Sequence, residues 1–230
     1  MNDLFGKALL AYHHGDKSDG LFLHNKFSTP DKLELDGYFF EADEMTDLEL
    51  IAMDFCQGRI GDIGAAAGRH SLYLQSEGHD VAAVEVSGNC VALMKERGVK
   101  KTIHNDFFEL TGEKFDTLFL MMNGIGISSD LSGFKRFLKK ADEVLSPDGL
   151  LIFDSADISY LKNEFQLPEK PYFGEIDYCY EWNGKKGEWF SWLYIDQSTL
   201  KLISSQCGWN AQVVYEDEED GQYLVILTKR

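Results

Sequence analysis

The chain has 230 residues, 44% hydrophobic and 27% charged, enough for one α/β domain with an elaboration and a sizeable core. Thirty-nine acids stand against twenty-two Lys and Arg, a formal charge of −17 spread along the sequence. Such a field repels phosphate backbones and anionic lipid, so neither nucleic acid nor a membrane surface is expected as a partner. Cys56, Cys90, Cys179 and Cys207 form no Cys-x-x-Cys pair and lack histidines at ligand spacing, so no metal is expected. The first residues carry no basic region followed by an apolar stretch, and no segment approaches a membrane span, so a cytoplasmic location is expected.

In chain order, residues 1–44 are a polar, aromatic-rich leader. Thr46 and Glu49 form a capping box, and Leu48, Ile51, Ala52 and Phe55 make the apolar face of the helix it starts. "RIGDI" at 59–63 reads as a strand, followed by a helix from about Gly68 to Glu77. "DVAAVEV" at 80–86 is the nearly continuous apolar run of a parallel strand buried on both faces. A helix with Cys90, Leu93 and Met94 on one side stops at Gly98, and "KTIH" and "DTLFLMM" follow as strands. Phe134, Phe137, Leu138, Ala141, Val144 and Leu145 recur at offsets of three and four, the clearest amphipathic helix in the chain. "SPDG" at 146–149 predicts a turn into the strand "LLIFDS".

Beyond Ser155 the alternation changes. An inserted hairpin is predicted at about 172–195, with its turn at Asn183-Gly184 and an excess of aromatic residues. A helix with Leu200, Ile203 and Cys207 inward precedes two strands around an acidic turn at Glu216–Asp220, expected to be a solvated tip. The fold class is therefore α/β, a Rossmann-like doubly wound sheet of about seven strands, mostly parallel, with an antiparallel C-terminal strand and an inserted hairpin. No domain boundary is apparent within 45–230.

The stretch "GDIGAAAGRH" at 61–70 carries the functional signal. Asp62 lies at the end of a strand, and Gly64, Ala65, Ala66 and Gly68 turn it tightly into a helix whose free N–H groups suit a polar ligand. A nicotinamide fingerprint counted from Gly64 meets Ala66 and Arg69 where glycines are required. The pattern resembles the first motif of class I S-adenosylmethionine-dependent methyltransferases of the small-molecule type, with Ala66 in place of the central glycine. Alanine disfavours a positive φ at that position.

The resemblance extends over roughly 45–230 and implies S-adenosyl-L-methionine as cofactor. It implies that Glu85, followed by Val86, chelates the adenosine ribose, and that Asp106 faces the adenine amino group with Phe107 beside the ring. Asn123, Gly124 and Ile125 would lie next to the methionine moiety, whose carboxylate Arg69 and His70 could meet. Asp154 is the candidate general base, with Asp157 less favoured, and each has a plain alternative as a strand-end acid that orients a loop. Tyr38 and Phe39 could fold over the cofactor. Trp189 and Trp192 of the hairpin could wall in a flat or apolar acceptor, or pack in a dimer interface, so either a monomer or a homodimer fits. His13, His14 and His24 of the leader could reach the site from a lid. The alternatives are an NAD(P)-dependent oxidoreductase on a related fold, or a non-catalytic cofactor-binding protein.

Overall fold

The computed structural model describes residues 3–16, 20–161, 171–217 and 221–230. The leader holds α1 (Leu4–His13), β1 (Leu21–His24) and β2 (Asp31–Leu33), then single 3-10 turns at Asp36–Phe39 and Ala42–Glu44. The central part follows as α2 (Asp47–Asp54), β3 (Arg59–Ile63), α3 (Arg69–Ser76), β4 (Asp80–Glu85), α4 (Gly88–Arg97) and β5 (Thr102–His104). Then come β6 (Phe115–Leu120), α5 (Leu131–Val144), β7 (Leu145–Ala156), β8 (Glu175–Trp182) and β9 (Lys185–Leu193). The chain ends with α6 (Gln197–Gln206), β10 (Trp209–Asp217) and β11 (Gln222–Lys229).

Seven strands form the main sheet in the order β10-β11-β7-β6-β3-β4-β5. β3, β4, β5, β6 and β7 pair in parallel, and β11 runs antiparallel to both neighbours. The expected fold class is thus observed, with its antiparallel strand in place. β6 is central, and Leu118, Phe119 and Leu120 are fully buried, as a strand covered on both faces requires. Phe134, Phe137, Leu138 and Ala141 of α5 have no exposed surface and pack against one face, each large apolar side chain contributing about 2–3 kcal/mol by leaving water. α2, with Leu48, Ala52 and Met53, covers the other face near Phe119 and Ile152.

The Thr46–Glu49 capping box is present in both directions, Glu49 N–H to Thr46 Oγ1 at 3.3 Å and Thr46 N–H to Glu49 Oε2 at 3.0 Å. The predicted turn at 146–149 is instead a bulge inside one long strand. Phe115 pairs with Leu145 and Thr117 with Leu150, so Ser146 to Gly149 loop out while Ser146 donates to Asp116 at 2.8 Å. The bulge keeps the residues on either side within the sheet, where Pro147 needs no ladder hydrogen bond.

The hairpin turns at Asn183 and Gly184, with φ of 50° and 67°, both left-handed as a type I′ turn requires. It does not stand alone. β8 also pairs with β1, giving a four-stranded antiparallel sheet β2-β1-β8-β9 that ties leader and insertion together. Four residues of "LFLH" between polar stretches carry too little alternation to announce a strand. The acidic turn expected at Glu216–Asp220 lies for its greater part outside the described residues.

This second sheet leans on the main one through Trp192, whose indole rests on the backbone of Gly126. A Cβ at Gly126 would stand 1.9 Å from the indole nitrogen. Gly126→Ala is therefore expected to destabilise the protein by about 1–3 kcal/mol through overpacking, read as a lower urea midpoint with altered near-ultraviolet dichroism of tryptophan. An unchanged midpoint would show that the contact is not held in solution.

Candidate functional site

The carboxyl ends of β3, β4, β6 and β7 open on one side of the main sheet, where ligands bind in open α/β folds. After β3 the chain turns left-handed at Gly64, with φ of 72°. A side chain there would point into open space, so the glycine serves backbone conformation and leaves that space free for a ligand. Ala66 is left-handed as well, φ 48°, and so adopts the conformation an alanine disfavours. Its N–H donates to Glu85 Oε2 at 2.9 Å, which helps hold it there. Gly68 caps α3 with φ 78°, and a Cβ would meet Met94 at 2.8 Å and Val99 at 2.9 Å.

Glu85, at the end of β4, is 8% exposed and joins two turns. Oε2 takes the Ala66 N–H and Oε1 the Ser87 N–H at 2.8 Å. Burial pushes its carboxyl up, and these N–H groups oppose the shift. Each oxygen keeps a lone pair for a further donor, as chelation of a diol demands. Val86 beside it is 60% exposed and Met122 after β6 is 41% exposed, two apolar side chains at the cleft that a bound ligand would cover. The cleft therefore fits an adenosine-bearing ligand. Asp62 lies beneath the turn, 2% exposed, accepting from Ser71 Oγ at 2.6 Å, and burial raises its carboxyl. Asp106 is exposed and caps the turn Phe107–Glu109 through the Phe108 N–H at 2.9 Å.

Several side chains expected at the cofactor are engaged within the protein. The ring of Phe107 is 4% exposed and stacks on Phe137 at 4.6 Å, so this residue offers only backbone to the cleft. Ile125 is fully buried in the main core and does the same. Arg69 and His70, 6% and 7% exposed, are spoken for by Glu49, which is 5% exposed. Arg69 ion-pairs with it and His70 Nε2 lies 2.8 Å from the same oxygen. Arg69 also donates to the Gly37 carbonyl, which straps the leader turn carrying Tyr38 onto α3. A capping-box glutamate gave no sequence sign that it would also neutralise a buried arginine.

Asp154 gives both oxygens to the Asn123 N–H, at 2.8 Å each. It thereby anchors a strained segment in which Met122, Asn123 and Ser129 all have positive φ, 62°, 55° and 70°. The geometry makes it an anchor for the loop after β6, as the alternative reading above expects. Asn123 itself donates to Leu193 O at 3.3 Å and accepts from Ser155 Oγ at 3.1 Å. Gly124 opens the 3-10 turn that follows. Trp189 is 54% exposed with the Lys26 ammonium 5.8 Å from its ring centroid, and Trp192 sits over Gly126, so only the latter borders the cleft. The leader histidines pair elsewhere, His14 with Glu96 and His24 with Glu181, both at 2.8 Å.

Phenols that, Tyr38 apart, the sequence signals only as an aromatic excess lie close together. Tyr38 and Tyr180 flank Phe5, at 5.2 and 5.4 Å between centroids, and Tyr178 and Tyr194 bring their hydroxyls within 3.3 Å. Among the described residues no group of three or more His, Cys, Asp or Glu is placed to hold a metal ion, and no helix is long and apolar enough to cross a membrane.

Comparison with known proteins decides the family. A SAM-dependent methyltransferase from Bacteroides fragilis, solved in complex with S-adenosyl-L-homocysteine, is 33% identical and superposes over 99% of this chain and 94% of its own at a TM-score of 0.90. The chain belongs to the S-adenosylmethionine-dependent methyltransferases. The methyltransferase domain family matches residues 61–153, from the middle of β3 into β7. A Geobacillus sp. (strain WCH70) protein that carries a provisional methyltransferase name is 27% identical over 114 residues, 47% of this chain, and the match spans 46% of that relative's length. The CcbJ methyltransferase of Streptomyces caelestis shares the fold at 13% identity, with a TM-score of 0.62 over 81% of this chain and 94% of its own. Membership in this family displaces the oxidoreductase alternative, and its methyl donor is S-adenosyl-L-methionine.

Burial pushes the Asp154 carboxyl up to about 7, against N–H bonds from the loop. The unfolded chain releases this proton near 3.8, so between these values the folded state binds more protons and the group's contribution to stability falls as pH rises. Asp154→Asn, which keeps an acceptor for the Asn123 N–H, is expected to match the parent near pH 4 and to exceed it above pH 7 by ~4 kcal/mol. Urea titrations across pH 4–8 check this, and a pH-independent difference would contradict it.

Proposed function

We propose that this methyltransferase transfers the methyl group of S-adenosyl-L-methionine to a small-molecule acceptor. One observation carries the reading: the buried Glu85 carboxylate fastens the Gly64–Gly68 turn to the end of β4 while keeping lone pairs for a ribose. Asp62 and Ser71 support that turn from below. Val86 and the Asp106–Phe107 backbone would bracket the adenine, and Asn123 with Gly124 would border the methionine end. When bound, the donor supplies an activated methyl on a sulfonium, which leaves by in-line displacement.

What the chain's own residues supply is position and exclusion of water. Asp154 holds the left-handed Met122–Asn123 backbone beside the reacting end, and Arg69 holds the Gly37–Tyr38 turn above it. The charge of −17 disfavours polyanions, which favours a small acceptor over a nucleic acid.

Calorimetric titration with S-adenosylhomocysteine tests the reading. Micromolar binding is expected, weakened in Glu85→Ala by about 1–3 kcal/mol, the scale of charge-assisted hydrogen bonds left unmade. Absence of binding to ligand-free protein would overturn the cofactor assignment, and equal affinity in the folded variant would remove Glu85 from the ribose.

A further inference from the structure

The aromatic surface facing the cleft is continuous. Tyr180 stacks on Phe5 at 5.4 Å and lies 5.0 Å from Phe190, which is 6.2 Å from Tyr178 and 6.3 Å from Trp192. One end of this row reaches Tyr38 of the leader, and the other reaches Trp192 over Gly126 in the loop after β6. Tyr178 continues it to Tyr194 through the 3.3 Å hydroxyl contact.

The charges acting on the row have a definite sign. Glu85 acts on Tyr180 and Asp31 on Tyr178, while the Arg69 guanidinium that acts on Tyr38 is matched by Glu49. Aromatic faces in a field of carboxylates attract cations and disfavour anions. Burial pushes all four phenols up, Tyr38 to about 12, so they stand as neutral hydrogen-bond donors and not as bases. The buried carboxylates and the histidine nearby each engage a protein group: Asp154 takes the Asn123 N–H, Glu85 those of Ala66 and Ser87, and His70 meets Glu49.

From this juxtaposition we propose that the acceptor is a small amine, recognised as a cation by the row Tyr38, Tyr180, Phe190, Tyr178 and Trp192. The proposal rests on the methyl-transfer reading above. The bound ammonium first releases a proton to water; the lone pair of the resulting neutral amine attacks the methyl carbon, a C–N bond forms as the C–S bond breaks, and the bonding pair stays on sulfur. Positive charge thus passes from sulfur to nitrogen within the aromatic enclosure, and the new ammonium gives a proton to water. A hydroxyl acceptor would instead require a base to take its proton during attack.

The test uses the full chain saturated with S-adenosylhomocysteine and three probes of similar shape, benzyltrimethylammonium, benzyl alcohol and benzoate, titrated calorimetrically. The cation is expected to bind at least tenfold more tightly than either of the others. Tyr178→Leu should reduce that preference at least fivefold, and Tyr178→Phe, which keeps the ring, should retain it. Equal or tighter binding of benzyl alcohol or benzoate, or no binding of the cation to protein that has taken up S-adenosylhomocysteine, overturns the amine assignment. Failure to take up S-adenosylhomocysteine at all is a separate result, and falls on the methyl-transfer reading. Should Tyr178→Leu lose S-adenosylhomocysteine binding, Tyr194→Leu replaces it, and an unreduced preference in the folded variant counts against the row.

Discussion

A carboxylate at the end of a buried parallel strand meets two backbone N–H groups from different turns, and the cleft is built around that meeting. Glu85 could not be left buried and unpaired, since an isolated carboxylate in such a place is strongly disfavoured. By taking the N–H of Ala66 it holds a non-glycine residue in a left-handed conformation, and by taking that of Ser87 it fixes the entry to α4. Ser87 in turn donates to Asp3, the N-cap of α1, at 2.6 Å, so the leader helix is attached to the same point. Ligand geometry, backbone strain and the seat of the N-terminal helix therefore share one side chain.

Other acids at the strand ends work the same way. Asp62 supports α3 through Ser71, Asp154 anchors the loop after β6, and Glu49 reaches across from α2 to hold Arg69 and His70. Each is nearly inaccessible to solvent and each accepts from a group that would otherwise be an unmatched donor or charge. The cleft is thus preorganised by the protein's own hydrogen bonds, leaving apolar Val86 and Met122 exposed beside it.

Much of this was legible in the sequence because it is local or periodic. The main sheet follows from buried apolar runs, α5 from its three-and-four spacing, the hairpin turn from Asn183-Gly184, and the cofactor turn from small residues after Asp62. What was not legible depends on tertiary pairing. β1 becomes a strand only because β8 offers it an edge, and Arg69 turns inward only because Glu49 arrives from another helix. Phe107 and Ile125 sit within motif positions yet send their side chains into the core, since a motif marks where the backbone passes and not where each side chain goes. Asp154 looked the same as a free base in sequence, and the Asn123 N–H that it accepts comes from a loop 31 residues earlier.

The most direct test of this account is a crystal structure of the protein with S-adenosylhomocysteine. Both ribose hydroxyls should lie within hydrogen-bond distance of Glu85, with its bonds to the Ala66 and Ser87 N–H groups intact and Ala66 still at positive φ. A ribose held elsewhere, or a Glu85 side chain swung away from the Gly64–Gly68 turn, would contradict it.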